Sequence, residues 1–377
     1  MQFVDLKTQY AVLQGRIDER IRTVLEHGKF IQGPEVQEFE EKLANFAGVE
    51  HAICCGNGTD ALHLALRALD IGRGDLVVTT PFSFFATAEA IELAGARTAF
   101  ADIDPVTFNI DPASLDDTIT RLKRNQPRRV AAVITVDLFG LPADYRAIEP
   151  ICRDHGVKLV EDAAQGIGGE CGGRKAGSFG EIAATSFFPS KPLGCYGDGG
   201  ALLTDDGAVA ARLKSLRSHG QGSSKYDNIE IGLNSRLDSL QAAILLAKLT
   251  VFADEIQARR TVADRYGLLL SDKVVTPVIP DGFASAWAQY SVLLKDKAQR
   301  DRAMEHLRMA GIPSMIYYAR PLHLQDALAY LGHQRGDFPV SEAVSDRVIS
   351  LPMHPYLSTG DQDRIVSCLT ELLVAKT

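Results

Sequence analysis

Apolar positions recur along the chain with two different periods. Over residues 6–27, Leu13, Ile17, Ile21, Val24 and Leu25 repeat at helical spacing and Gly28 supplies a stop, and a second helix is predicted over 34–46. Further on come short strand-like runs at 51–55, 75–80, 98–101, 130–137, 157–161, 182–188 and 201–204, of which 130–137 is apolar almost throughout. Helical stretches ending near Asp70, Ala94 and His155 fall between several of them. Apolar runs alternating with helices predict a largely parallel sheet covered on both faces. After residue 205 the chain reads as helix to 219, as a polar loop over 221–228 suited to moving or reaching a neighbour, and as a long, interrupted helix over 239–272. A strand at 290–294, a helix at 298–309, a strand at 315–318 and helices near Ser341 and Gly360 follow. The expected division is a large α/β domain over 1–245 and a smaller α+β domain over 246–377.

Composition narrows the class without changing this picture. The chain has 377 residues, 46% hydrophobic and 23% charged, enough for two packed cores and without a disordered tract. A net charge of -8 disfavours nonspecific attraction to nucleic acid or to an anionic membrane. Six cysteines show no CxxC spacing, so neither a metal site nor a disulfide framework is expected. The most apolar helix, over 242–253, is interrupted by Lys248 and too short to span a bilayer, and the N-terminus lacks a secretory pattern. A soluble cytoplasmic protein is expected.

The chemistry gathers at strand ends. Lys191 stands between two prolines, after the run 182–188 and ahead of Gly197-Asp198-Gly199-Gly200. A desolvated lysine amine becomes a nucleophile whose characteristic product is a Schiff base with a carbonyl, and pyridoxal phosphate offers that carbonyl. Such a cofactor also needs an acid at its ring nitrogen, and Asp162 leaves the strand at 157–161 with Gln165 close behind. Open α/β sheets bind ligands at the carboxyl ends of their strands, which suits both residues. Gly56-Asn57-Gly58-Thr59-Asp60 links a strand to a helix, where free N–H groups could take a phosphate, although the same sequence is a sound turn and N-cap with no ligand. Ser186 could add a hydroxyl. Of Phe82, Phe84 and Phe85, Phe84 is the ring best placed to stack on a cofactor; the group reads equally well as core.

The motifs Gly-Asn-Gly-Thr-Asp-Ala-Leu, Glu-Asp-Ala-Ala-Gln, Ser-Phe-Phe-Pro-Ser-Lys with Gly-Asp-Gly-Gly behind it, and Asn-Ser-Arg-Leu-Asp-Ser-Leu-Gln-Ala-Ala resemble those of the DegT/DnrJ/EryC1/StrS family. These are sugar-nucleotide aminotransferases with the aspartate aminotransferase fold, fold type I of the pyridoxal phosphate enzymes. The resemblance implies that Lys191 carries the cofactor and moves the proton, and that Asp162 pairs with the ring nitrogen. It implies further that Gln165 meets the ring hydroxyl side, Phe84 stacks, and Gly58, Thr59 and Ser186 hold the phosphate. Asn234 would reach the phosphate of a second subunit, making a homodimer with shared active sites. Family members that dehydrate sugars replace the lysine by histidine, so Lys191 implies transamination, with L-glutamate as donor and a nucleotide sugar as acceptor.

The opening Phe-Val-Asp-Leu-Lys-Thr-Gln and the Ser-His-Gly-Gln segment resemble members acting on UDP-2-acetamido-3-oxo-glucuronic acid for surface polysaccharide. A uronate carboxylate needs cations, for which Lys7, Arg236 and Arg320 are candidates, with Tyr317 and His323 to meet sugar or pyrophosphate. Gly166 and Ser235 depart from the usual family pattern. The rival readings are an aminotransferase for a 4-keto nucleotide sugar and a non-catalytic binding or regulatory protein of the same fold.

Overall fold

The computed structural model describes residues 1–125, 128–224 and 226–374. The chain opens with α1 (Leu6–His27), whose N-cap Asp5 accepts from the Thr8 amide and whose exit is Gly28 at φ 68°, and continues with α2 (Pro34–Ala47). Then β1 (His51–Cys55), α3 (Gly58–Ala68), β2 (Asp75–Thr79), α4 (Ala86–Leu93), β3 (Arg97–Phe100), α5 (Pro112–Asn125), β4 (Arg129–Val136), α6 (Tyr145–His155) and β5 (Lys158–Asp162) alternate. The two-residue strands β6 (Glu170–Cys171) and β7 (Arg174–Lys175) precede β8 (Ile182–Ser186), β9 (Gly200–Thr204) and α7 (Gly207–Leu216). The remainder is α8 (Ser239–Leu249), α9 (Phe252–Leu270), β10 (Phe283–Ala284), β11 (Tyr290–Leu293), α10 (Lys297–Met309), α11 (Pro339–Arg347), β12 (Val348–Leu351) and α12 (Thr359–Val374).

Seven strands form one sheet in the order β1-β9-β8-β5-β4-β2-β3. Parallel pairing runs from β8 through β5, β4 and β2 to β3, while β9 is antiparallel to both its neighbours. Both faces are covered, which explains the nearly continuous apolar strands. On one face Ile53, Val77, Ile134, Val160 and Leu202 pack under α3, α4 and α7. On the other, α2 and α8 cover Ala52, Ala183 and Leu203, and α5 and α6 cover Val78, Val133 and Leu159.

A separate cluster joins α9, β11, α10, β12 and α12, with Tyr266, Tyr290, Leu307, Ile349 and Leu369 at its centre. The position 245/246 falls inside α8, where Leu245 and Leu246 belong to the sheet's own core; the helical pattern breaks later, at Thr250 and Val251. The strand expected at 315–318 is not formed, because Met315 alone bridges to Ser350 and the chain then turns. Across 221–228 a short antiparallel turn pairs Gln221 with Asn228, and Lys225 within it lies outside the described residues. Among the described residues no helix is long and apolar enough to cross a membrane.

Candidate active site

Asp162 ends β5 in parallel register with Ala184 of β8, so the segments leaving these neighbouring strands emerge side by side. Asp162 is 5% exposed. Its Oδ2 accepts from Thr87 Oγ1 at 2.9 Å, Thr87 in turn contacts Ser83 Oγ at 2.9 Å, and Oδ1 accepts from the Ala164 amide at 3.2 Å. Burial pushes this carboxyl above its ordinary range, while Thr87, the Ala164 amide and the charge of Lys191 pull the other way. Lys191 is half-buried, and burial lowers the pKa of its amine against the opposing pull of Asp162. Each group therefore senses the other's charge, yet among the described residues they form no ion pair. The amine is left free to react.

Asn57 caps α3 by accepting from the Asp60 amide at 2.8 Å, which leaves the Gly58 and Thr59 amides at the helix start, the positive end of its dipole. A Cβ on Gly58 would meet Ser186 Cβ at 2.7 Å, so only glycine lets β8 and this turn approach each other so closely. Ser235 ties in the next segment: its hydroxyl donates to Asp60 Oδ2 at 2.6 Å and accepts from the Gly56 amide at 2.9 Å. The serine in place of the usual glycine thus has a bonding role. Asn234, one residue earlier, is exposed and bridges to Ser218.

Phe84 is 58% exposed and tilts toward Tyr318, with ring centres 6.3 Å apart. Gln165 is buried between the Phe139 amide, which donates to its Oε1 at 2.8 Å, and the Tyr318 hydroxyl, 3.1 Å from its Nε2. Behind this wall lies a second buried group of acids. Asp137 Oδ1 accepts from Tyr145 OH at 2.7 Å and from the Ala143 amide at 3.1 Å. Glu161 accepts from the amides of Gly177 and Phe179 at 2.7 and 2.9 Å. Asp137 Oδ2 meets no N–H or O–H donor but interacts with the Glu161 carboxyl, so it is satisfied only when one of the two keeps a proton. Burial pushes Asp137 up to about 6 and holds Glu161 well above the carboxylate range. A Cβ on Gly166 would strike Asp137 Oδ2 at 2.2 Å, so the glycine at this position makes room for the aspartate.

The structure distributes the sugar-side candidates unevenly. Tyr317 is half-buried, edge-on to Phe3 at 6.2 Å and to Tyr318 at 5.6 Å, which brings the N-terminal segment beside Gln165's partner. The side chains of Lys7 and Arg236 have no hydrogen-bond or ion-pair partner among the described residues. Arg320 is exposed and paired to Asp326 at 2.6 Å. His323 does not fit the expected role: it is 1% exposed, bonded through Nε2 to Glu342 Oε1 at 3.0 Å and packed on Phe338, in a core that shields it from substrate.

Thr87, Ser83, Ser235, Tyr318 and the Asp137–Glu161 pair went unassigned by the sequence reading. Thr87 and Ser83 carry a usable signal, two hydroxyls four positions apart at the start of a helix. The others are brought in by residues distant in the chain.

The sequence profile of the DegT/DnrJ/EryC1/StrS aminotransferase family matches residues 12–370. The chain is 43% identical to the UDP-2-acetamido-2-deoxy-3-oxo-D-glucuronate aminotransferase of Pseudomonas aeruginosa, over 98% of this chain and 99% of the relative. It is 37% identical to the dTDP-3-amino-3,6-dideoxy-alpha-D-galactopyranose transaminase of Aneurinibacillus thermoaerophilus, over 97% and 98%. A crystal structure of a DegT DnrJ EryC1 StrS aminotransferase from Brucella abortus superimposes with a TM-score of 0.96 at 46% identity, covering 99% of this chain and 100% of the other.

Proposed function

The chain belongs to the DegT/DnrJ/EryC1/StrS aminotransferase family, and from that premise we propose that it moves an amino group from L-glutamate to the C3 ketone of a UDP-linked 2-acetamido-3-oxo-hexuronic acid, a step toward a surface polysaccharide. It is a sugar aminotransferase of fold type I that depends on pyridoxal phosphate. The finer substrate assignment is supported by the 43% identity, across nearly the whole of both chains, to a relative named for that keto-uronate.

The residues present fit the cofactor. Gly58 is a cradle position that a Cβ would fill, with the first amides of α3 and the Ser186 hydroxyl around it; Asp162 is a buried acid; and Lys191 is an unpartnered amine that shares its field. When bound, pyridoxal phosphate supplies the carbonyl that carries the amino group and the ring that takes up the electron pair released at the substrate carbon. Gly58, Thr59 and Ser186 would hold the phosphate, and Asn234 would serve the phosphate of a second copy. Phe84 would supply a stacking surface for the ring and Gln165 a polar contact for its hydroxyl. Asp162, its carboxylate aimed by Thr87 and Ala164, would keep the ring nitrogen protonated. Lys191 would move a proton between the amino-bearing carbon and the cofactor in each half of the transfer, which its lowered pKa suits. Arg236 and Lys7, whose side chains have no partner among the described residues, would be the cations for the uronate.

A 4-keto or 3-keto-6-deoxy nucleotide sugar is the second reading, supported by relatives named as a dTDP-3-amino-3,6-dideoxy-alpha-D-galactopyranose transaminase and a GDP-perosamine synthase at 37% and 34% identity. Incubation with L-glutamate and, separately, a 3-oxo and a 4-oxo UDP-sugar discriminates between C3 and C4 amination. The proposal expects the amino sugar and 2-oxoglutarate from the 3-oxo substrate. Product from the 4-oxo substrate alone overturns it.

A further inference from the structure

Lys248 on α8 is 1% exposed, and its ammonium donates to the Gly194 carbonyl at 2.6 Å. The same nitrogen lies 4.2 Å from the centre of the Tyr196 ring. Gly194 and Tyr196 belong to the loop that carries Lys191. That loop folds tightly on itself, with the Lys191 amide bonded to Phe188 O and the Cys195 amide to Phe187 O, both at 2.8 Å. At Gly194 a Cβ would meet Pro189 O at 2.5 Å. Gln241, also on α8, accepts from the Tyr196 amide at 2.8 Å. The loop is thus docked on α8 at two points, and Lys248 is the charged one.

A buried ammonium is an expensive way to dock a loop. Apolar replacements at buried charges are often neutral or stabilising, so a charge kept there calls for a role other than stability. Glu255 of α9 and the Cys195 thiol favour the charged form against burial. Glu255 is itself held by Gln9 Nε2 at 2.9 Å and Tyr356 OH at 2.6 Å, with Arg259 nearby. Tyr10 and Asp18 of α1 act on the Tyr196 phenol, and Asp198 on Cys195.

We propose that Lys248 is a positioning residue for Lys191: its ammonium grips the Gly194 carbonyl and the Tyr196 ring and so fixes the loop from which the reactive amine projects. This rests on the reading of Lys191 as the cofactor-bearing lysine. The grip depends on charge, because the ring attracts a cation and a charged donor bonds a carbonyl more strongly than a neutral amine. Burial brings the Lys248 amine down to about 8, so the grip weakens as pH rises through that value.

The test compares the holoenzyme with Lys248→Met and Tyr196→Leu, by kcat and KM across pH, by pyridoxal phosphate titration of each apo-enzyme, and by thermal melting. Lys248→Met is expected to lower kcat and cofactor affinity about ten-fold each, as loss of one charge-assisted hydrogen bond would, with the nucleotide-sugar KM unchanged. Its rate should show no alkaline decline near pH 8, and Tyr196→Leu should move that decline to lower pH. Wild-type kcat, cofactor affinity and alkaline decline in Lys248→Met overturn the proposal; if that variant does not fold, an unmoved decline in Tyr196→Leu does so. Borohydride reduction and peptide mapping separate the two layers. A label at Lys191 with an unaffected Lys248→Met sinks only the role of Lys248, and a label elsewhere sinks the assignment of Lys191 itself.

Discussion

Two hydroxyls decide how Asp162 behaves, and the first prediction concerns the nearer one. The bond from Thr87 favours the ionised carboxylate, so it lowers a pKa that burial raises. Thr87→Val removes the donor at nearly constant volume; the pKa of Asp162 then climbs further, and the acid limb of the kcat profile should move to higher pH, with kcat at neutral pH reduced about ten-fold. A limb that stays in place would show that Asp162 is not the group that titrates there. The Asp137–Glu161 pair gives a second prediction, in stability. With Asp137 raised from the ordinary 3.8 to about 6, the folded protein in that window holds a proton the unfolded chain has released. Stability therefore falls as pH rises through the window, and the deficit persists at neutral pH. Asp137→Asn mimics the protonated acid: its oxygen can still accept from Tyr145 and Ala143, and its amide can donate to Glu161. Its melting temperature should match wild type near pH 4 and exceed it at pH 7. Asp137→Ala instead strands the buried Ala143 amide, at about 1–3 kcal/mol, leaves the Tyr145 hydroxyl with Thr135 Oγ1 alone, and should melt lower at both. A variant Asn whose advantage does not grow with pH would rule out the shared proton.

At the level of elements, the start of α3 is where the fold meets the proposed phosphate site. Gly58→Ala pushes a methyl into Ser186 Cβ, a contact of 2.7 Å that β8, paired on both sides, cannot relieve by moving. The expected result is a loss of pyridoxal phosphate affinity of more than about ten-fold in equilibrium titration, with a smaller loss of thermal stability. Adding Ser186→Gly removes the atom it strikes and should restore part of the affinity, though not the share owed to the hydroxyl. No rescue would mean that the steric account is wrong. The same scale shows what the sequence could convey. Apolar runs buried on both faces announced the strands of the main sheet, and Asp162 and Lys191 were visible because each follows such a run and has distinctive neighbours in sequence. By contrast, the polar composition of α5 masks its helix, although Leu115, Ile119 and Leu122 repeat there at helical spacing. The apolar stretch at 315–318 looked like a strand, yet its rings are consumed in packing with Phe3, Phe82 and Phe84. His323 looked like a ligand to sugar because nothing near it in sequence reveals Glu342 and Phe338, which enclose it. Tertiary partners of this kind are invisible to local spacing.

On the scale of the whole molecule, several apolar side chains stand uncovered beside the site. Phe84 and Phe188 stand more than half exposed at the mouth of the pocket, and Ile229 and Ile231 are 67% and 80% exposed on the segment leading to Asn234. Apolar side chains gathered around a polar site are expected where a second protein surface covers them. The proposed cover is another copy of the chain, with Asn234 of each protomer serving the phosphate site of the other. Shared sites have a genetic signature that separate sites lack. In a dimer of Lys191→Ala with Asn234→Ala, one site collects both lesions and the other is intact. Random pairing makes half the dimers mixed, each with one working site, so mixing two variants that are separately inactive should restore roughly a quarter of wild-type activity after subunit exchange. If each protomer instead used its own Asn234, every site in every pairing would be damaged. Activity that stays at the level of the separate variants, in a mixture shown to have exchanged, would place Asn234 in its own protomer's site and remove the second copy from the chemistry.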